Sequence, residues 1–364
     1  MSAETTYVCP SCGSRFEPAA DRWRCDCGHP LRFADPPAPE ADSPPAPDRD
    51  RGLWAFEELL AVDRRVTLGE GWTPLVDAPE RAVEYKLDWL FPTGSFKDRG
   101  AATTISHALE LGVDRVVEDS SGNAGAAIAT YAARAGIDAE IFVPADAKPG
   151  KLRAIERTGA TVRRIEGDRA AVTEACIDAV EGGDPAWYAS HAWNPAFFEG
   201  TATVAYELAA QRGWTAPDAV VTPLGHGTLF LGAYRGFARL HEAGWIDGLP
   251  RLYGVQAAGV APIVESRHGE AAAAGENSLA DGIQITDPVQ RSAITEAVDR
   301  SGGDVLAVDA ETTEAEYDRL HRQGLYTEPT CAVAPAAMDS LRERGAVAPD
   351  EDVVVALTGS GLKT

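Results

Sequence analysis

A chain of 364 residues, 45% of them hydrophobic, can bury one large core or two ordinary ones without disulfide staples. Its 33 Lys+Arg against 56 Asp+Glu leave a formal charge of −23, a field that repels nucleic acid and anionic membranes and argues against both as partners. No apolar run approaches the roughly 18 residues of a membrane-spanning helix, and MSAETTYVCPSCG lacks the basic-then-apolar pattern of a signal peptide, so a cytoplasmic location is expected.

In chain order, the first feature is YVCPSCGSRFEPAADRWRCDCG. Cys9-x2-Cys12 and Cys25-x-Cys27 can close a tetrahedral thiolate shell at the tips of two short hairpins. Residues 1–33 are therefore expected to form a zinc-ribbon-like unit around a structural zinc. Four thiolates leave no coordination position open for catalysis. The second pair is one residue shorter than the common CxxC, and His29 is an alternative ligand, although a surface role suits it better. Residues 34–52, which contain DPPAPEADSPPAPDRDR, are proline-rich and acidic and read as a linker.

From residue 53 to 364 strand-like and helix-like units alternate. DRVVEDS is followed by SGNAGAAIATYAARAG, AEIFVPA by KLRAIERTG, and DAVVTPLG by TLFLGAYRGFARLHEAG, with DVVVALTGSG as the last strand. Repeated βα units predict a mostly parallel sheet covered by helices, with ligands collecting at the carboxyl ends of the strands.

Three turns in this region carry chemistry. In PTGSFKDRG, Lys97 stands at a predicted helix start, where its charge opposes the helix dipole. The chain has only five lysines, a lysine-poor, acidic composition that resembles that of proteins adapted to high salt. A structural lysine is poorly placed at that position, whereas an amine that must lose its proton and attack a carbonyl gains from it. In EDSSGNAGAA, Ser120, Ser121 and Asn123 offer small hydrogen-bonding groups at a strand-to-helix junction that can hold an anion. In TPLGHGTLFLG, Gly225, His226, Gly227 and Thr228 present backbone amides at a helix start, a ready phosphate cradle. That loop fits neither a dinucleotide fingerprint nor a Walker A loop. Cys176 and Cys331 are expected in the core. His107, His191, His241, His268 and His321 show no metal spacing and are expected to be solvated or hydrogen-bonded.

Lysine turn, Asn-bearing turn and glycine loop, in that order, resemble the fold-type II pyridoxal-phosphate enzymes, and among them the threonine synthases. An opening EG-x-P strand (EGWTPL, Glu70 to Leu75) and a terminal TGxGLK (TGSGLKT, Thr358 to Thr364) are similar to that family too. The resemblance implies a tryptophan synthase β-like α/β fold with two open, twisted, mostly parallel sheets and flanking helices, the smaller subdomain spanning roughly 98–200. It implies pyridoxal 5'-phosphate held by Lys97 as a Schiff base. Asn123 would bond the ring hydroxyl, Gly225, His226, Gly227 and Thr228 the phosphate, and Thr358 the pyridine nitrogen. Ser120 and Ser121, with the amides beside them, would bind the carboxylate of a small amino-acid substrate. A similar ribbon is frequent in threonine synthases, and a homodimer is common in this fold.

One segment departs from the family. Where many members read NP-x-R-x-EG-Q-K-T, this chain reads NPAFFEGTAT, so Phe197 replaces an arginine and Ala202 a lysine. Both would serve a phosphorylated substrate, because charge-assisted bonds to phosphate are the strong ones. Lys148, Lys151, Arg153 and Arg99 are the cations left to compensate. His226 stands where the family has Asn. Two reactions follow as expectations: conversion of O-phosphohomoserine and water to threonine and phosphate, or β-elimination or β-replacement on an unphosphorylated amino acid such as serine or threonine.

Overall fold

A computed structural model of the chain describes residues 6–38, 43–44, 46–147, 149–182 and 186–363. Residues 1–5 of the expected ribbon, and 39–42 and 45 of the expected linker, lie outside these. Three two-residue strands open the chain, β1 (Tyr7–Val8), β2 (Arg15–Phe16) and β3 (Arg32–Phe33), paired antiparallel in the order β2-β1-β3. A 3-10 helix over Arg49–Leu59 begins inside the stretch expected to be linker. Asp48 caps it by accepting the Asp50 N–H, a local bond that composition does not reveal.

The remaining strands are β4 (Leu75–Ala78), β5 (Val83–Leu87), β6 (Arg115–Glu118), β7 (Asp138–Pro144), β8 (Thr161–Ile165), β9 (Trp187–Tyr188), β10 (Ala219–Pro223), β11 (Arg251–Ala257), β12 (Asp304–Val308) and β13 (Val353–Leu357). Between them run α1 (Lys97–Glu110), α2 (Asn123–Ala135), α3 (Pro149–Glu156), α4 (Arg169–Glu181), α5 (Pro195–Gln211) and α6 (Thr228–Glu242). Six further helices follow: α7 (Pro262–His268), α8 (Glu270–Ala273), α9 (Arg291–Ser301), α10 (Ala310–Arg322), α11 (Pro329–Ala336) and α12 (Met338–Glu343).

The chain divides into two compact units. The first comprises Met1–Pro39, Asp48–Gly71 and Lys97–Thr201. Its sheet has the order β8-β7-β6-β9, with every neighbouring pair parallel. β8, reading TVRRI, is an edge strand with no fully buried residue, and its two exposed arginines keep that edge from templating another chain. The three N-terminal strands pack within this unit. Tyr7, Cys9, Cys25, Leu31 and Phe33 form one apolar cluster with Val62 and Ala196, and the Tyr7 hydroxyl lies 2.6 Å from His107 Nε2 on α1. Trp23 meets Tyr188 and Trp193 edge-on at 5.2 and 5.0 Å.

The second unit comprises Glu40–Pro47, Trp72–Phe96 and Ala202–Thr364. Its six strands run β12-β11-β10-β13-β5-β4, parallel except for the β4–β5 edge pair. The central strand β13, VVVAL, is buried at all five positions, the unbroken apolar run of a strand covered on both faces. Val221, Val255, Val355 and Leu357 share its core with Val333 and Ala334 of α11. Two mostly parallel sheets with flanking helices thus agree with the expected fold class. Among the described residues no helix is long and apolar enough to cross a membrane.

Candidate active site

The second unit builds the approach to the lysine. Gly94, at φ +76°, turns the chain after Phe91, and its carbonyl accepts the Ser360 N–H at 2.8 Å. Two residues on, the Phe96 N–H donates to the Thr358 carbonyl at 3.0 Å, and Ser95 bridges Gly359 antiparallel. The backbone immediately before Lys97 is therefore clamped to the end of β13, next to Thr358. That threonine is almost wholly buried and its N–H donates to Cys331 Sγ at 3.0 Å, with the Gly359 N–H donating to the same sulfur at 2.9 Å. The Cys331 thiol lies 3.3 Å from Thr358 Oγ1. Burial, with the Glu328 charge, pushes that thiol up to about 12, so it stays protonated and remains a donor. Cys331 is in the core, as the sequence suggests. Its contact with Thr358 spans 27 residues and left no local signal.

The glycine loop lies at the carboxyl end of β10, also in the second unit. Leu224 donates to Val255 O at 2.7 Å, then Gly225, His226 and Gly227 lead into α6 at Thr228. Gly227 caps this helix in the left-handed region at φ +79° and makes no side-chain capping bond, so the first amides of α6 receive none from it. A Cβ on Gly227 would lie 2.7 Å from Ile294 Cδ1, and one on Gly225 3.1 Å from Ile283 Cα. A side chain at Gly227 would be strained by the left-handed backbone, and one at Gly225 would need Ile283 to shift by a few tenths of an ångström.

In the first unit Lys97 is half-buried and is the first residue of α1, with Asp98 and Arg99 fully buried behind it. Its ammonium lies 5.9 Å from the centre of the Phe197 ring. Ser120, Ser121 and Asn123 follow β6. The Gly122 N–H donates to Ser120 Oγ at 3.3 Å, and α2 starts at Asn123 behind Gly122, which makes no side-chain cap. Gly125 is required there, since a Cβ would come within 1.9 Å of the Ser120 carbonyl.

Phe197 and Ala202, at the positions expected to carry cations, are both fully buried on α5. A Cβ on Gly100 would lie 2.3 Å from the Phe197 ring, and one on Gly200 would lie 2.0 Å from the Arg99 carbonyl, so α1 and α5 touch backbone to backbone. Among the candidate substitutes, Arg99 is buried and Arg153 exposed. Lys148 and the Lys151 side chain lie outside the described residues.

Next to Phe197 stands a pair that spacing alone did not single out. Glu118, the last residue of β6, is fully buried and its carboxylate lies 2.7 Å from His191 Nδ1, while the His191 backbone N–H donates to it at 3.3 Å. Burial raises the Glu118 carboxyl well above the ordinary range and Asp119 adds to this, while the Lys97 charge acts in the opposite sense. A second carboxylate in VVED was the available hint.

The Sγ atoms of Cys9, Cys12, Cys25 and Cys27 all lie within 4.8 Å of one another. Individual separations of 3.5 to 3.6 Å approach the roughly 3.8 Å edge of a tetrahedron with zinc–sulfur bonds of about 2.3 Å. Gly13 and Gly28, both at positive φ, close the two turns that carry the cysteine pairs. The shorter second pair does not prevent convergence. His29 Nδ1 is 3.5 Å from Cys27 Sγ at the exposed rim, outside the four-sulfur cluster.

Residues 66–359 match the family described as pyridoxal-phosphate dependent enzyme. The threonine synthase of Methanocaldococcus jannaschii is 31% identical, covering 98% of this chain and 92% of its own length. That of Synechocystis sp. is 37% identical over 82% and 78% of the two chains. Maize serine racemase shares the fold, with a TM-score of 0.68 over 79% of this chain and 88% of that one, at 21% identity.

Proposed function

The chain belongs to the pyridoxal-phosphate dependent enzymes and is a lyase of threonine-synthase type; from that premise we propose that it converts O-phosphohomoserine and water to threonine and phosphate. The observation that carries this reading is the set of backbone-rich turns at strand ends: the clamped lysine turn, the Ser120–Asn123 turn and the Gly225–Thr228 loop.

The residues fit the cofactor. Gly225 and Gly227, which carry no side chain, would let a phosphate approach the α6 amides, which carry the partial positive charge of a helix N-terminus. His226 would contribute its backbone amide and Thr228 its hydroxyl. Lys97 would hold the cofactor through its amine and carry protons to and from substrate carbon. Asn123 would bond the ring hydroxyl. Thr358, a neutral hydroxyl oriented by Cys331, would face the ring nitrogen without forcing a proton onto it. When bound, the cofactor supplies an electron sink for the carbon that loses its proton. Ser120, Ser121 and the adjacent amides would bind the substrate carboxylate.

The four cysteines would hold a structural zinc, in keeping with a reducing cytoplasm. Residues 1–33 would be the ribbon, 34–52 the linker and 53–364 the catalytic domain, in a homodimer adapted to high salt. A second reading, β-elimination or β-replacement on serine or threonine, is favoured by the burial of Phe197 and Ala202, which leaves neither position a cation for substrate phosphate. Purified protein in molar salt with added cofactor, given O-phosphohomoserine, threonine and serine separately, decides between them. Phosphate release matched by threonine supports the synthase. Oxo acid from serine or threonine, with phosphohomoserine inert, replaces it with the second reading.

A further inference from the structure

We propose that Cys331 is a positioning residue: its thiol donates to Thr358 Oγ1 and so fixes that hydroxyl as a proton donor toward the group it faces. This rests on the reading above in which Thr358 faces the ring nitrogen of the cofactor, and it assigns how the chain sets the proton between the two.

The contacts around the sulfur leave few arrangements. The Thr358 and Gly359 N–H groups both donate to Cys331 Sγ, at 3.0 and 2.9 Å. Sulfur is a weak acceptor, and two amides at that range occupy it, so it offers little to the proton of the Thr358 hydroxyl. The single thiol proton has two acceptors within reach, Gly359 O at 3.2 Å and Thr358 Oγ1 at 3.3 Å. The carbonyl already accepts the Glu328 N–H at 2.9 Å, whereas among the described residues Oγ1 has no hydrogen-bonding partner besides the sulfur. An almost wholly buried hydroxyl oxygen with that one partner accepts the S–H and keeps its own proton to give. Burial raises the thiol, and the Glu328 charge adds to this, up to about 12, so the proton is in place through the neutral range.

A second buried hydroxyl stands at the same place. Ser95, which bridges Gly359 in the clamp before Lys97, is fully buried, and its Oγ has no hydrogen-bonding partner among the described residues. Such a group costs free energy unless something polar meets it. Thr358 before Gly359 and Ser95 opposite it thus both keep hydrogen-bonding capacity at the end of β13. A donating hydroxyl and a protonated ring nitrogen would meet proton to proton, so the S–H on Thr358 Oγ1 holds the ring nitrogen without a proton. Serine at position 331 keeps a donor there. Alanine removes it and lets the Thr358 hydroxyl turn, so that it accepts from a protonated ring nitrogen as readily as it donates to a bare one.

Two measurements test this. In the apoprotein, the S–H stretching band of Cys331, identified by its loss in Cys331→Ser, should move to higher frequency in Thr358→Val, because the thiol loses its acceptor. An unmoved band places the thiol proton on the Gly359 carbonyl and overturns the proposal; this arm stands even if Cys331→Ala does not fold. In holoprotein loaded with cofactor labelled with 15N in the ring, the wild-type resonance should be that of an unprotonated nitrogen. Cys331→Ser should keep it. Cys331→Ala should move it toward the protonated position and weaken cofactor binding by about 2- to 10-fold, the worth of one hydrogen bond. A protonated ring in the wild type, or the same resonance in wild type and Cys331→Ala, overturns the proposal, since a packing role alone would leave that nitrogen unmoved. Thr358→Val separates this failure from that of the underlying reading. A resonance indifferent to Thr358→Val shows that Thr358 does not face the ring, and both fall. One that responds to Thr358→Val but not to Cys331→Ala overturns the assignment of Cys331 alone.

Discussion

Replacing Lys86 with methionine removes one half of an ion pair in which neither side chain has any exposed surface. Lys86 Nζ donates to Glu207 Oε2, Gln211 Oε1 and the Thr73 carbonyl, each at 2.8 Å, which uses all three of its protons. The variant leaves the Glu207 carboxylate buried beside an apolar chain, and breaking a pair of this kind costs about 3–5 kcal/mol. For a unit of this size that corresponds to a drop in Tm of roughly 6–20 °C. Lys86 faces Ala356 in the β5–β13 register, two residues before Thr358, so cofactor retention should weaken along with stability. Calorimetry at saturating cofactor reads the first effect and cofactor titration the second. The double variant Lys86→Met with Glu207→Leu removes both charges and should recover most of the loss, because apolar replacements of whole buried pairs are often neutral or stabilising. A single variant within about 1 kcal/mol of wild type, or a double variant no better than the single one, would refute the claim that desolvation governs this position.

Borohydride reduction of the holoprotein followed by peptide mapping should place the cofactor on Lys97 and leave Lys86 unlabelled, since Lys86 has no exposed surface; label on any other lysine removes the assignment. Metal analysis should find one zinc per chain, and chelation should lower the melting temperature of the wild type but leave that of a Cys9→Ser, Cys25→Ser variant unmoved, because Tyr7 and Cys9 pack into the core of the first unit. Cys331, raised by burial, binds its proton more tightly folded than unfolded. Its contribution to stability is complete below the unfolded thiol's range and is lost as the pH climbs from about 8.5 toward about 12. Urea midpoints across that interval should fall less for Cys331→Ser than for wild type, and parallel slopes would contradict the burial argument.

How much of this was legible in the sequence depends on the distance over which each feature acts. The alternation of strand and helix was readable because periodicity is local. VVVAL and AEIFVPA are apolar runs bounded by turns, and they form β13 and most of β7. The three turns were readable for the same reason, since Gly94 and Gly227 supply the left-handed backbone of their turns and Gly125 yields to the Ser120 carbonyl five residues before it. The cysteine cluster could be inferred from two short spacings. The Glu118–His191 pair could not, because 73 residues separate its members and each alone looks like a solvated group. Cys331 and Thr358 were likewise placed separately, and only the fold brings the thiol onto the hydroxyl. The start of the helix at Arg49 was hidden by the prolines before it.

The same distinction bears on the loss of the two cations. From sequence, Phe197 is an arginine gone missing, and restoring it looks like the direct route to a phosphorylated substrate. In the fold, the Phe197 ring occupies the space that Gly100 leaves by having no side chain, and it is fully buried. An arginine at that position would have to place its guanidinium in the contact between α1 and α5 or push the helices apart, and an unpaired buried charge is the costlier of these. Position 197 is therefore tied to position 100, and through α1 to the lysine that begins that helix. The substitution belongs to a repacked site and not to a single deleted contact.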